Sequence, residues 1–435
     1  MADGRSGAAL AAYRIAGIAA TPFMPAFLSW RARRNKEDRA RLGERRGFAS
    51  LPRPEGPLVW VHAASVGETN AVLPLIRRIA SEYGPVLLTT ITVTSAQIAA
   101  ARLPVGAMHQ FSPLDISPWV QRFLRHWRPG LALFVESELW PITMTTLAGS
   151  GIPQILVNAR LSERSFRRWG RMERFVRPLF SRLTLCLAQS PGDAERYRAI
   201  GVARVEVTGN LKFDVPMPVP DENAVAVLRR QIGSRPVWLA ASTHEGEEAV
   251  AVEVHRALAA AQPGLLTIIV PRHPDRGPAI AEMVAAAGLP LALRGRGEPV
   301  SAATGIYIAN TLGELNLFYR AVPVTFVGGS LVPRGGQNPI EPVRCEAAVL
   351  HGPHVANFAD VYAALDVSGS EMVGDATELA AAVNRLLDDP ARARNRARAA
   401  TAALRPFAGA LDATMAALRP YLERSVLGST MGGVG

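Results

Sequence analysis

Lysine is nearly missing from this chain. Of 48 basic side chains in 435 residues, only Lys36 and Lys212 are lysine and the rest are arginine. Lys36 sits in a basic run, residues 31–36, where any cation would serve. Lys212 stands alone in GNLKFD, residues 209–214, just before a proline-rich stretch. A compact ammonium there differs chemically from a planar guanidinium fork, which makes Lys212 a candidate anion contact at a domain junction. Cysteine is scarce as well. Cys186 and Cys345 both lie in apolar runs, which argues against a disulfide framework or a structural zinc site. No G-x-G-x-x-G follows the first strand pattern, against a dinucleotide dehydrogenase. There is no Walker A sequence, which sets aside a P-loop ATPase. No D-x-D and no His/Asp cluster with ligand spacing occurs, so no metal is expected. No basic run interleaves with aromatics on a recognisable nucleic-acid module, so nucleic acid is not an expected partner.

What is present fits a two-domain globular protein: 435 residues, 49% hydrophobic and 20% charged. The net charge is +11 and the pI near 10.5. A phosphorylated substrate, an anionic lipid surface or a chain-wide arginine bias would each account for it. Near the N-terminus, residues 15–30 carry no charge, Arg14 precedes them, and RARR follows at residues 31–34. The run is marginal for a full span, which takes about 20 apolar residues. Basic residues on its C-terminal side would leave the body in the cytoplasm. A cleaved signal peptide carries its charge before the apolar core, so that reading is rejected. A signal anchor, an interfacial helix or a buried core helix remain.

Beyond this flank, apolar runs alternate with helical patterns. Strands are expected at residues 58–62, 86–90, 131–135, 154–157, 237–241, 266–270, 305–308 and 324–327. Helices are expected at 71–79, 95–101 and 247–260, with a helical tail over 390–422. Such alternation builds parallel sheets. Pro216, Pro218 and Pro220 mark a linker. The two halves open alike, VWVHAAS at 59–65 and VWLAAS at 237–242, as two doubly wound domains facing one another would. The organisation expected is an N-terminal membrane anchor and basic flank at 1–34, a Rossmann-like domain at 35–215 and a linker at 216–234. A second Rossmann-like domain follows at 235–405, then a helix and tail at 406–435. Four turns place a capping residue three before a glutamate: Ser65/Glu68, Ser242/Glu245, Thr311/Glu314 and Asn338/Glu341. The first three read as capping boxes and the fourth adds Pro339 at N1. All four fall at carboxyl ends of expected strands, where α/β folds bind ligands, and Gly67, Gly246 and Gly313 leave room for one.

Nine segments in register resemble the 3-deoxy-D-manno-octulosonic acid (Kdo) transferases of lipopolysaccharide synthesis. They are HAASVGE (62–68), ESELWP (136–141), NARLS (158–162), TGNLKFD (208–214), ASTHEGEE (241–248), VPRHP (270–274), GGS (328–330), GGQNPIE (335–341) and HGPH (351–354) with Asn357 and Phe358. The resemblance implies a two-domain GT-B fold with no cofactor, and an inverting transfer from CMP-Kdo to a lipid A precursor (lipid IVA). It also implies work at the cytoplasmic face of the cell inner membrane, with the N-terminal segment as anchor.

By the same resemblance Glu68 is the general base, and Lys212 and Glu136 are further catalytic residues that steady charge in the transition state. Glu138, two residues after Glu136, is equally acidic and is not separated from it by sequence. Pro271 and Arg272 match a CMP-contacting pair, and Leu312, Gly313, Glu314, Asn338, Pro339, Ile340 and Glu341 match the other CMP-binding segments. His273 reads as structural. Two positions depart from the family pattern: Asn310 replaces an aspartate and Gln337 a histidine. The alternatives are a GT-B enzyme for another nucleotide sugar and a non-catalytic protein that binds anionic lipid.

Overall fold

The central strands of both sheets are mostly apolar runs, such as LALFV and LTIIVP, and every residue of these two is buried. That is the pattern of a parallel strand covered on both faces. The computed structural model describes residues 4–137, 139–215 and 221–431. The chain divides into two compact units, Met1–Pro216 with Phe407–Gly435, and Met217–Pro406.

The first unit holds β1 (Val59–His62), β2 (Val86–Thr90), β3 (Ala107–Phe111), β4 (Leu131–Val135), β5 (Gln154–Ala159), β6 (Leu185–Ala188) and β7 (Val205–Val207). Their spatial order is β3-β2-β1-β4-β5-β6-β7, all parallel. The second unit holds β8 (Val237–Thr243), β9 (Leu266–Pro271), β10 (Leu291–Leu293), β11 (Ile306–Ile308), β12 (Val324–Val327), β13 (Ala348–His351) and β14 (Ser370–Met372). Their order is β10-β11-β9-β8-β12-β13-β14, again all parallel. In each sheet the winding reverses once, between β1 and β4 and between β8 and β12. The carboxyl ends of those strands are the topological switch points where doubly wound sheets take ligands.

The likeness between the two halves extends to contacts. Trp60 Nε1 donates to Thr89 Oγ1 at 2.8 Å, and Trp238 Nε1 donates to Thr267 Oγ1 at 2.8 Å. Each threonine then meets a buried imidazole Nδ1, His62 at 2.8 Å and His255 at 2.9 Å. Burial drives His62 down to about 3 and lowers His255. Both rings are therefore neutral near pH 7, and each threonine hydroxyl is free to donate to Nδ1.

Several expectations need correction. The stretch 216–234 is not all linker. Residues 216–220 lie outside the described residues, but Glu222–Ile232 is a helix capped by Asp221, and it buries Val225, Leu228 and Ile232 in the second unit's core. The tail is two helices, Pro390–Leu404 and Ala410–Met431, separated by a 3-10 turn and by Gly409 at φ +89°. The second helix buries Ala410, Met415, Leu418 and Leu422 in the first unit's core beside β1 and β4. The N-terminal segment forms helices Gly4–Ala20 and Met24–Arg33. The first packs on the helices Ser117–Trp127 and Glu173–Phe180. Among the described residues no helix is long and apolar enough to cross a membrane.

Candidate active site

At the first switch point the chain leaves β1 through Ala63–Ser65 and enters the helix Val66–Glu82. Ser65 is its N-cap and accepts from the Glu68 amide. Glu68 answers: Oε1 accepts from Ser65 Oγ at 2.8 Å, and Oε2 from the Ala64 amide at 2.8 Å. This is the expected capping turn in a shifted form, with the glutamate reaching the amide before the cap and not that of Ser65 itself. The Glu68 residue is only 9% exposed. Burial pushes its carboxyl above the usual glutamate range, against the pull of the Ser65 and Ala64 bonds. Two further charges act on it. Glu136 raises its pKa and Lys212 lowers it. Each carboxylate oxygen has a second lone pair beyond its bond to the turn. The space at Gly67 is open, since a Cβ there would meet nothing nearer than Ser65 Oγ at 4.0 Å.

Glu136 follows β4 directly. It is held at φ +61°, a left-handed conformation that costs a non-glycine residue about 1 kcal/mol or more. The surroundings enforce it: its amide donates to Val157 O at 3.0 Å, and its carbonyl accepts from the buried Tyr197 hydroxyl at 3.2 Å. Lys212 arrives on a 3-10 turn, Leu211–Phe213, capped by Asn210. The buried Asn158, itself at φ +52°, fixes that turn by accepting from the Leu211 amide at 2.9 Å. Lys212 Nζ donates to Glu136 Oε1 at 2.6 Å. Three residues 144 positions apart in sequence are thereby brought into one electrostatic cluster. Glu138 lies outside the described residues.

The second switch point holds a cavity of about 270 Å³. Of the residues singled out by sequence, Pro271, Arg272, Leu312, Gly313, Asn338 and Glu341 line it. Ser242, Thr311, Tyr319 and Gln337 line it too, and sequence reasoning gave them no binding role. Gly328, next to β12, is required by packing: a Cβ there would sit 2.6 Å from Ser242 O and 2.8 Å from Thr243 Cα. Asn338 Oδ1 accepts from the Ile340 amide, and its Nδ2 donates to Glu341 Oε1 at 3.2 Å. Burial raises the Glu341 carboxyl.

Three of the expected contacts are not in this lining. Glu314 is clamped by Arg294 at 2.6 and 2.7 Å and receives the Thr311 hydroxyl. Arg294 holds its carboxyl below the usual range. It precedes the helix Leu315–Ala321 and closes no capping box. Pro339 and Ile340 shape the entry to the helix Ile340–Arg344, where Pro339 occupies the N-cap position, not N1. The expected Ser242/Glu245 box is also absent. Ser242 takes φ +54°, Gly246 at φ +97° starts the helix Glu247–Leu258, and the Glu245 side chain is 83% exposed. Glu247 does what Glu245 was expected to do: its Oε2 accepts from the His244 amide at 2.9 Å. Asn310 accepts from the Gly295 amide, and Gln337 Nε2 meets His244 Nε2 at 3.1 Å.

A family model described as 3-deoxy-D-manno-octulosonic-acid transferase (kdotransferase) matches residues 40–215. The 3-deoxy-D-manno-octulosonic acid transferase of Haemophilus influenzae is 35% identical over 93% of this chain and 97% of that one. The Bordetella pertussis protein of the same name is 37% identical over 88% of this chain and 91% of its own. Among solved structures, UDP-GlcNAc 2-epimerase from Neisseria meningitidis, bound to UDP-GlcNAc, is similar with a TM-score of 0.58. It is 12% identical and covers 83% of this chain and 100% of its own, a likeness of fold. With two all-parallel seven-stranded sheets of GT-B type and relatives matched over nearly their whole length, this chain belongs to the Kdo transferase family.

Proposed function

We propose that this protein moves Kdo from CMP-Kdo onto a hydroxyl of a lipid A precursor in a single inverting displacement, with Glu68 as general base. The Glu68 carboxylate accepts the hydroxyl proton as the acceptor oxygen attacks the anomeric carbon. The bond from that carbon to the CMP phosphate breaks, its electron pair leaves with CMP, and Glu68 then releases the proton to water. Lys212, held by Glu136, supplies a cation for the transition state. Arg272, Asn338 and the cavity of the second unit take the cytidylate, where a guanidinium suits its phosphate. The observation that carries this reading is a desolvated carboxylate at a topological switch point, coupled to a lysine–glutamate pair. Incubating the protein with freshly made CMP-Kdo and lipid IVA, then weighing the lipid, tests it. A mass gain of one or more Kdo residues is expected, and an unchanged lipid refutes the assignment. CMP is expected to raise the Tm and UDP is not.

The acid limb of kcat/KM is expected above the ordinary glutamate range, because protonated Glu68 accepts no proton and burial raises its pKa. The sign of two variants follows. Lys212→Gln removes a cation that favours the ionised form, so the limb moves to higher pH and kcat falls about 10²-fold. Glu136→Gln removes a neighbouring anion, so the limb moves to lower pH. A pH profile that stays fixed in both would remove Glu68 from the titration.

The acceptor is a lipid, and the first unit offers an apolar, basic surface for a cytoplasmic membrane face. Ile15, Ile18, Phe23, Phe27 and Trp30 are exposed, Phe23 at 71%. Arg31 and Arg34 lie over the Phe27 and Trp30 rings at 5.9 and 4.3 Å. The first N-terminal helix also borders a groove of about 550 Å³ lined by Leu10, Ala11, Arg14, Gln121 and Ile142. This is the composition of an interfacial helix pair that lies in the headgroup layer. Replacing Phe23 and Trp30 by serine is expected to abolish sedimentation with anionic vesicles while the Tm holds. Undiminished binding would place the membrane contact elsewhere.

A further inference from the structure

We propose that the first sheet carries a second anion site at its amino edge, the edge opposite Glu68, and that its ligand is a phosphate-class oxyanion. The geometry begins where β1 and β4 start. Leu58 and Gly130, joined by the Gly130 amide to Leu58 carbonyl bond at 2.9 Å, form part of the wall of a cavity of about 250 Å³. Three guanidinium side chains line it: Arg53, Arg128 and Arg424.

Among the described residues none of the three forms an ion pair with a carboxylate. Arg53 donates to three carbonyls, Trp127 at 2.8 Å, Pro54 at 2.7 Å and Gly56 at 2.9 Å, which leaves two of its five N–H groups for a ligand. Arg424 donates to Pro420 O at 3.1 Å and lies over the Tyr421 ring at 4.9 Å. Arg128 adopts φ +42° at the end of the helix Ser117–Trp127, a left-handed turn that sends the chain into β4. Burial lowers the Arg53 pKa, and the Arg128 charge lowers it further. Glu55 and Glu423, the carboxylates nearest in sequence, form no ion pair among the described residues.

A fourth group lines the cavity. Ser425 Oγ is buried and has no hydrogen-bond partner among the described residues. Gly130 leaves that hydroxyl its place, since a Cβ there would overlap it as it now stands. Like charges gathered without a counter-charge oppose folding, and an unpaired buried hydroxyl adds to that cost. One multivalent oxyanion relieves both: it accepts from the forked guanidinium groups and from the serine. Two sources present this chemistry, free phosphate and the phosphomonoester of a lipid headgroup.

The test uses the full chain, with Tm and calorimetry followed against inorganic phosphate at constant ionic strength. A saturable rise in Tm is expected for the wild-type protein. Arg128→Asn keeps a residue that tolerates the left-handed turn, and Arg424→Gln changes an exposed side chain; each is expected to weaken phosphate binding about tenfold or more. Arg272→Gln removes any phosphate taken by the cavity of the second unit, and the part of the response that Arg128→Asn abolishes is expected to survive in it. Phosphatidic acid vesicles form the second arm. A wild-type preference over Arg128→Asn on those vesicles, with no response to inorganic phosphate, assigns the site to a lipid headgroup. The proposal falls if neither arm separates wild type from Arg128→Asn, or if Arg272→Gln alone abolishes the phosphate response. Loss of lipid glycosylation activity would bear on Glu68 and not on this site, because neither readout involves transfer.

Discussion

Glu68→Gln is expected to lower kcat/KM for transfer by about 10²- to 10⁴-fold while the Tm moves by only a few degrees. Glutamine preserves the shape of the side chain and one acceptor, so the bond from either the Ser65 hydroxyl or the Ala64 amide survives. It has no basic lone pair for the acceptor proton. The choice of variant matters because both Glu68 oxygens already serve the turn. Glu68→Ala would also break the capping turn, at a cost of about 1 kcal/mol, and a loss of activity would then have two explanations. With glutamine the two roles separate. CMP affinity is expected to be unchanged, since the residues that line the cavity proposed for cytidylate belong to the second unit. Transfer at the wild-type rate by Glu68→Gln would reduce Glu68 to a cap and end the base assignment.

The legible parts of the sequence were those whose signal is local. β2, β4 and β12 begin and end where the apolar runs do, because a strand covered on both faces has no reason to alternate. β7, β10 and β14 have three residues each, and β14 reads Ser-Glu-Met. At the sheet edges such short, partly polar segments carry too little pattern to detect. The Ser65/Glu68 turn was readable because its partners lie within four residues. The Ser242/Glu245 and Thr311/Glu314 turns share its letters but not its structure. Backbone conformation at Ser242 and Gly246 moves the helix cap four residues on, from Ser242 to Gly246, and Arg294, twenty positions away, claims Glu314. Neither cause has a local signature. The cluster of Glu68, Glu136 and Lys212 was named from motifs, but its geometry depends on Asn158 and Tyr197, neither of which was given a role in positioning Glu136 or Lys212.

The largest stability effect is expected at Glu247. This carboxylate is 1% exposed and accepts from four backbone amides: His244 at 2.9 Å, Gly329 at 2.7 Å, and Ser330 and Leu331 at 3.0 Å. It joins the start of a helix to the loop after β12, more than eighty residues on, beside the cavity lined by Ser242 and Gln337. Glu247→Leu would strand four donors where water does not reach, and each unsatisfied group costs about 1–3 kcal/mol. Part of that is recovered by relaxation and by the new apolar side chain, so a net loss of about 3–5 kcal/mol is expected, a fall of about 10 °C in the Tm of a unit this size. Glu247→Gln retains an oxygen for two of the amides but turns an NH₂ toward the others, and is expected to lose roughly half as much. CMP-induced stabilisation should weaken in both variants, because the loop from residue 328 carries Gln337 and Asn338 into the cavity. Urea unfolding followed by tryptophan fluorescence measures the losses, with Trp238 in β8 as a reporter of the second unit. A Glu247→Leu protein that unfolds within about 1 kcal/mol of wild type would show that the loop finds other acceptors, and that the carboxylate is not what holds the second switch point together.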